Sequence, residues 1–208
     1  ERPTREITVT TTRSVDLAPD HAVLYVGVTT RDADAARAGE QHAGISQSVR
    51  AALGALGFRP ESLPTIGYTV RPEYDRDRNR PIGYSAQSRI QVRVHELTRV
   101  GRVIDAALGA GANVISGLSF ESTRSDRARL DALARAVAAA REEAEAIARA
   151  AGGRLVALLE ANTGGVGFVR GAREVMMRAQ AEVETPITPG TLEIAATVTT
   201  RWEFIPSP

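Results

Sequence analysis

The chain contains no cysteine and no lysine. Without cysteine it can form no disulfide, no thiolate metal site and no thiol nucleophile. Cysteine absence suits a reducing or an oxidising compartment equally. Arginine carries all of the lysine-plus-arginine charge, a usage that a G- and C-rich genome explains without any function. No apolar run approaches the roughly 18 residues that a membrane-spanning helix needs. An excess of one charge is missing too: the net charge is +1, with Arg, Asp and Glu interleaved. That excludes nucleic-acid binding through bulk positive charge, and it excludes a polybasic membrane anchor. The chain begins at Glu1 with no initiator methionine, which a removed export signal explains and a trimmed sequence explains equally.

What is present is enough for a full core. The 208 residues, 43% of them hydrophobic, suit one domain spanning 1–208. Residues 6–15 alternate Ile7, Val9 and Thr11 against Thr8, Thr10 and Thr12, and residues 21–30 set Ala22, Leu24, Val26 and Val28 inward. Both patterns predict strands, and the Ala18-Pro19-Asp20 turn between them predicts an antiparallel hairpin. From 32 to 56 the period becomes helical through Ala35, Ala38, His42, Ile45, Val49, Leu53 and Leu56, with Gly57 as the stop. A second long hairpin is predicted over 65–95, with Pro72 marking an edge or a bulge. A short helix over 97–108 and a strand through Val114, Ile115, Leu118 and Phe120 follow.

The longest helical pattern covers 125–151, with a seam through Leu130, Leu133, Val137, Ala140, Ala144, Ile147 and Ala151. That seam reads as the central packing face, so Val137→Asp is expected to be severely destabilising. Residues 155–159 are apolar on both faces, which predicts a buried strand. A long loop at 163–189 holds a Gly-rich start and possible helical residues 172–183. An alternating strand over 192–204 closes the chain. The order ββαββαβαββ predicts an α+β fold: a largely antiparallel sheet from two long hairpins plus a C-terminal strand, with helices packed on one face.

Motifs with chemical potential are few. Asp75-x-Asp77-x-Asn79 resembles the start of a calcium loop, but Arg80 and Ala86 stand where such a loop needs Gly and Glu. A solvated hairpin tip is the plainer reading, and no other metal site is expected. Gly109-x-Gly111 and Gly164-Gly165-x-Gly167 lack the Gly-Lys-Ser/Thr of a phosphate loop and read as turn glycines. His21, His42 and His95 lie in separate elements, and His42 faces inward as a satisfied core histidine. There is no Gly-x-Ser-x-Gly elbow, so no catalytic residue and no cofactor are expected, with a hydrolase as the minor alternative.

Several stretches together resemble the SIMPL-domain proteins: ITVTTTRSVDLAPDHAVLYVGVTT, ALGALGF, GYTVRPEYD, IGYSAQSRIQVRV, IDAALGAGANVISGLSF, the long Ala/Arg/Glu helix and TPITPGTLEIAATVTTRWEF. They follow the family's order over nearly the whole chain. The family includes bacterial periplasmic and cell-surface immunogenic proteins, and a vertebrate adaptor of a receptor-associated kinase. The resemblance implies an α+β fold, export to the periplasm or beyond, and ring- or channel-like self-assembly in some members. It implies no catalytic activity. The segment GGVGFVRGAREVMMRAQAEVE departs from the family's pattern, and its Phe168, Val169, Met176 and Met177 are candidate contact residues for a homo-oligomer or a protein partner. The expectation is an exported, non-enzymatic protein that self-assembles or docks a partner. The alternative is a small-ligand or metal-binding stress protein.

Overall fold

A computed structural model describes residues 5–75, 80–164, 168–169, 185 and 187–207; at 168 and 169 it describes the backbone only. The chain forms two compact units, one from 1–18, 122–174 and 190–208 and the other from 19–121 and 175–189.

In the first unit, strand β1 (Glu6–Leu17) runs antiparallel to the long strand β8 (Leu192–Pro206) along its whole length. The other edge of β8 takes β6 (Gly153–Thr163) and then the two-residue β7 (Phe168–Val169). The alternation seen in the sequence decides the faces. Ile7, Val9, Ile194, Ala196, Val198 and Trp202 point into the core, while outward threonines pair across the strands, Thr10 with Thr199 at 3.0 Å and Thr12 with Thr197 at 2.8 Å.

Helix α3 (Ser125–Ala150) covers this sheet, but with a different face from the expected seam. Ala128, Ala132, Ala136, Ala140, Ala144 and Ala148 are buried, whereas Leu130 and Ile147 are about half exposed. Ala140 and Ala144 belong to both sets. Leu133 and Val137 flank the alanine row and are only partly buried. A four-residue row of methyl groups lets the helix backbone come close to the pleated strands, and the larger side chains are displaced to the rim.

The second unit runs β2 (His21–Asp32), α1 (Ala35–Ala55), β3 (Thr65–Tyr74), β4 (Pro81–Val94), α2 (Val100–Gly109) and β5 (Val114–Glu121). The sheet order is β3-β4-β2-β5 and every pairing is antiparallel. This is the split βαβ arrangement of ferredoxin-like folds. Both helices pack on one core with Leu24, Val26, Val28, Ile90 and Val92. Asp34 caps α1 by accepting the Arg37 amide at 3.0 Å. At its far end Gly57, at φ 94°, turns the chain so that Phe58 returns to Leu53.

The class is α+β, as expected, and 65–94 is a hairpin. The first hairpin is not: β1 pairs with β8, and β2 with β4 and β5. Residues 22–24, 26 and 28 of β2 are all buried, Val23 included. A strand with so much apolar surface is better satisfied between two neighbours than in an isolated hairpin.

Where β5 meets β2, a bulge displaces the register and Gly117 adopts φ 62°. A Cβ there would sit 2.7 Å from Tyr25 Cδ2. Gly117→Ala is therefore expected to cost about 1–3 kcal/mol in urea unfolding, from left-handed strain and ring displacement together.

Candidate functional site

His42 lies on the inward face of α1 and is buried. Its Nε2 is 3.0 Å from Ser88 Oγ on β4, and its Nδ1 is 3.4 Å from Ser46 Oγ one turn along the helix. The Tyr68 ring meets it edge-on at 5.2 Å. A serine beside an imidazole is half of a nucleophile–base pair, but the second nitrogen faces a hydroxyl where a triad places a carboxylate. The arrangement therefore holds a neutral imidazole. Burial pushes its pKa below the usual histidine value, partly offset by the backbone of Val28. The unfolded chain thus binds a proton more readily, so stability falls as pH drops through the ordinary histidine range and levels off below the folded pKa. Thermal melts should show this loss as pH falls below the ordinary histidine value of about 6.5, and His42→Gln should flatten it.

His21, at the start of β2, is also buried. Its Nδ1 is 2.7 Å from Asp20 Oδ1 and its Nε2 is 3.5 Å from Glu121 Oε2, while the His95 ring stands 6.0 Å away. A carboxylate oxygen thus stands beside each ring nitrogen, where a nucleophile–base pair would place a hydroxyl. The amide of Asp20 donates to the Glu121 carbonyl at 2.9 Å, so the cluster ties the beginning of β2 to the end of β5. Among the described residues no three or more His, Asp or Glu side chains converge as a metal-binding set.

Of the calcium candidates, Asp77 and Asn79 lie outside the described residues. Asp75 closes the hairpin by donating its amide to the Arg80 carbonyl at 2.9 Å. Gly111 follows the C-terminal end of α2, at φ 103°, where the helix dipole repels a phosphate. Among the candidate contact residues, Met176 and Met177 lie outside the described residues. The backbone of Phe168 and Val169 pairs with Ile194 and Glu193 of β8.

The most unusual surface was not anticipated as one. Residues 155–159, expected to be buried, form the middle of the edge strand β6. Val156, Leu158 and Leu159 are 48%, 44% and 43% exposed, and only Leu155 packs against the core. Two bulges release Val156 and Leu159 from opposite partners on β8, so apolar groups project from both faces. Beyond them Glu160 accepts from Asn162 at 2.6 Å and from Arg201 at 2.7 Å, which in that order keep its carboxyl below the usual range. The sequence carried the signal for this strand, an uninterrupted apolar run, but an apolar run does not say whether its cover lies within the chain.

The second unit has an apolar edge as well: Ile66, Tyr68, Val70 and Tyr74 of β3 are all exposed. Gly67 at φ 70° and Pro72 blunt that edge against regular strand pairing.

The geometry defines an α+β protein with two antiparallel sheets, His21 and His42 buried against bonded side chains, and the edge strands β3 and β6 left apolar. The chain belongs to the SIMPL family, described as protein of unknown function (DUF541), which it matches over residues 7–202. It is 29% identical over 196 residues to the 26 kDa periplasmic immunogenic protein of Brucella melitensis, covering 88% of this chain and 78% of that protein. It is also 29% identical over 147 residues to the uncharacterized protein YggE of Escherichia coli K12, covering 68% of this chain and 60% of that protein. Among the described residues no helix is long and apolar enough to cross a membrane, which says nothing of strands.

Proposed function

We propose that this is an exported, non-enzymatic protein that self-assembles, with β6 at the contact between subunits. The observation that carries the proposal is the exposed run at 156–159. Three large aliphatic side chains standing open on one strand cost about 25 cal/mol for each Å² of apolar surface left in water. A second copy that covers them removes that cost and the hazard of an uncovered edge together. Phe168 and Val169, whose backbone continues the same edge of β8, extend the contact. Export is supported by the printed name of the Brucella relative, a periplasmic protein.

Size-exclusion chromatography with light scattering tests this reading. A mass of at least two chains at micromolar concentration is expected; a mass of 22.2 kDa up to about 100 µM would overturn it.

A further inference from the structure

β3 begins late. Its first pair is Thr65 with Ile90, so residues 91–94 of β4 extend past the end of their neighbour on that side. On that side Gln91 donates its amide to the Pro64 carbonyl at 3.0 Å. Residues two apart on a strand direct their backbone groups to the same edge. The N–H and C=O of Arg93 therefore face the same way as the Gln91 amide, where no strand continues to meet them. They open into a groove of about 770 Å³ between β4 and the loop that leaves α1.

The groove has an apolar wall, which includes Phe58 and Pro64, and a basic rim. Arg59, Arg93 and Arg99 line it against a single carboxylate, Glu96, in a chain whose whole net charge is +1. Arg99 is already oriented: it donates to the Leu56 carbonyl at 2.7 Å and stands 3.7 Å from Glu96. Among the described residues the side chains of Arg59 and Arg93 have no ion-pair or hydrogen-bond partner. An open strand edge, an apolar wall and two uncommitted guanidinium groups are the components of a site for strand addition.

We infer that this groove binds an extended acidic peptide segment, which pairs with β4 at Arg93 and places its carboxylates on Arg59 and Arg93. The charge of the rim selects the occupant: a basic or neutral strand would leave the two arginines unpaired. The site lies wholly within the second unit and is independent of the β6 contact.

Fluorescence anisotropy on the full chain tests it, using a labelled hexapeptide of alternating valine and glutamate. Saturable binding at micromolar concentration is expected, weakened about tenfold or more in Arg59→Glu/Arg93→Glu. The same variant is expected to gain binding of the valine–lysine hexapeptide, which a misfolded protein could not do. Replacing the valines of the acidic peptide by proline removes half of its backbone donors, bars regular strand pairing and keeps its charge, and is expected to abolish binding. Equal binding of the proline version, no effect of the double variant, no saturation below about 1 mM, or full displacement by an equal concentration of inorganic phosphate would each overturn the inference.

Discussion

Val156→Lys/Leu159→Lys is expected to convert the assembled protein to a 22.2 kDa monomer at concentrations where the parent chain remains associated. Both side chains are bulge residues with no opposite partner on β8 and are close to half exposed. Lysine at these positions keeps its ammonium in water in the isolated chain, and the change in unfolding free energy should stay within about 1 kcal/mol. In a subunit contact the same groups would be desolvated without a counter-charge. Each should then act as a central interface substitution does, at about 2 kcal/mol or more, so the dissociation constant should rise at least about a thousandfold. Sedimentation velocity across a concentration series, with a melt of each protein alongside, separates loss of association from loss of fold. A double variant that sediments like the parent would remove β6 from the contact.

The largest effect on stability is expected at the alanine row of α3. Ala140 is fully buried against the sheet of the first unit, within the core that includes Val9, Val198 and Trp202. Ala140→Asp would place a carboxylate there with no cation to meet it, at a cost on the order of 3–5 kcal/mol. Ala140→Leu should also destabilise, by about 1–3 kcal/mol, because the helix can approach the strands only while the contact row is made of methyl groups. Leu130→Asp, on the exposed side, should be nearly neutral. Val137→Asp should fall between the two, milder than the sequence pattern implied, since Val137 is only partly buried. Urea unfolding of the four variants gives the order directly. Equal losses at positions 130 and 140 would mean that the helix does not pack through its alanines.

The contrast between those two helix faces shows what was legible in the sequence and why. Along α1 the expected inward residues are largely those observed: Ala38, His42, Val49 and Leu53 are buried, and Ile45 and Leu56 pack beside them. There the large residues are also the core residues. On α3 a pattern search that weights leucine and isoleucine selects the rim, because the row that meets the sheet is made of the smallest side chains. The 65–94 hairpin was legible because its partners are adjacent in sequence. The pairing of β1 with β8 was not, since Glu6 meets Glu203 across nearly the whole chain and no local turn encodes such a contact.

The candidate surfaces divide in the same way. His42 was readable as a core histidine, whereas its partners Ser88 and Tyr68 come from other strands and needed the fold. The start of β3 at 65 was legible in the sequence, but the basic groove also needs the loop that leaves α1 to lie beside β4, and that needed the fold. For β6, the apolar run was read as a buried strand, and only the sheet order revealed that it is an edge strand whose middle is exposed.

Hydrogen–deuterium exchange of the β6 amides as a function of protein concentration tests the central claim most directly. In an isolated chain an edge strand with two bulges exchanges quickly, while in an assembly closed over β6 it is protected. The expected result is protection of residues 155–163 that grows as concentration passes through the association range, with β2, already central in its sheet, unchanged. Fast exchange of 155–163 at every concentration, in a sample that light scattering shows to be assembled, would contradict the claim and place the contact elsewhere.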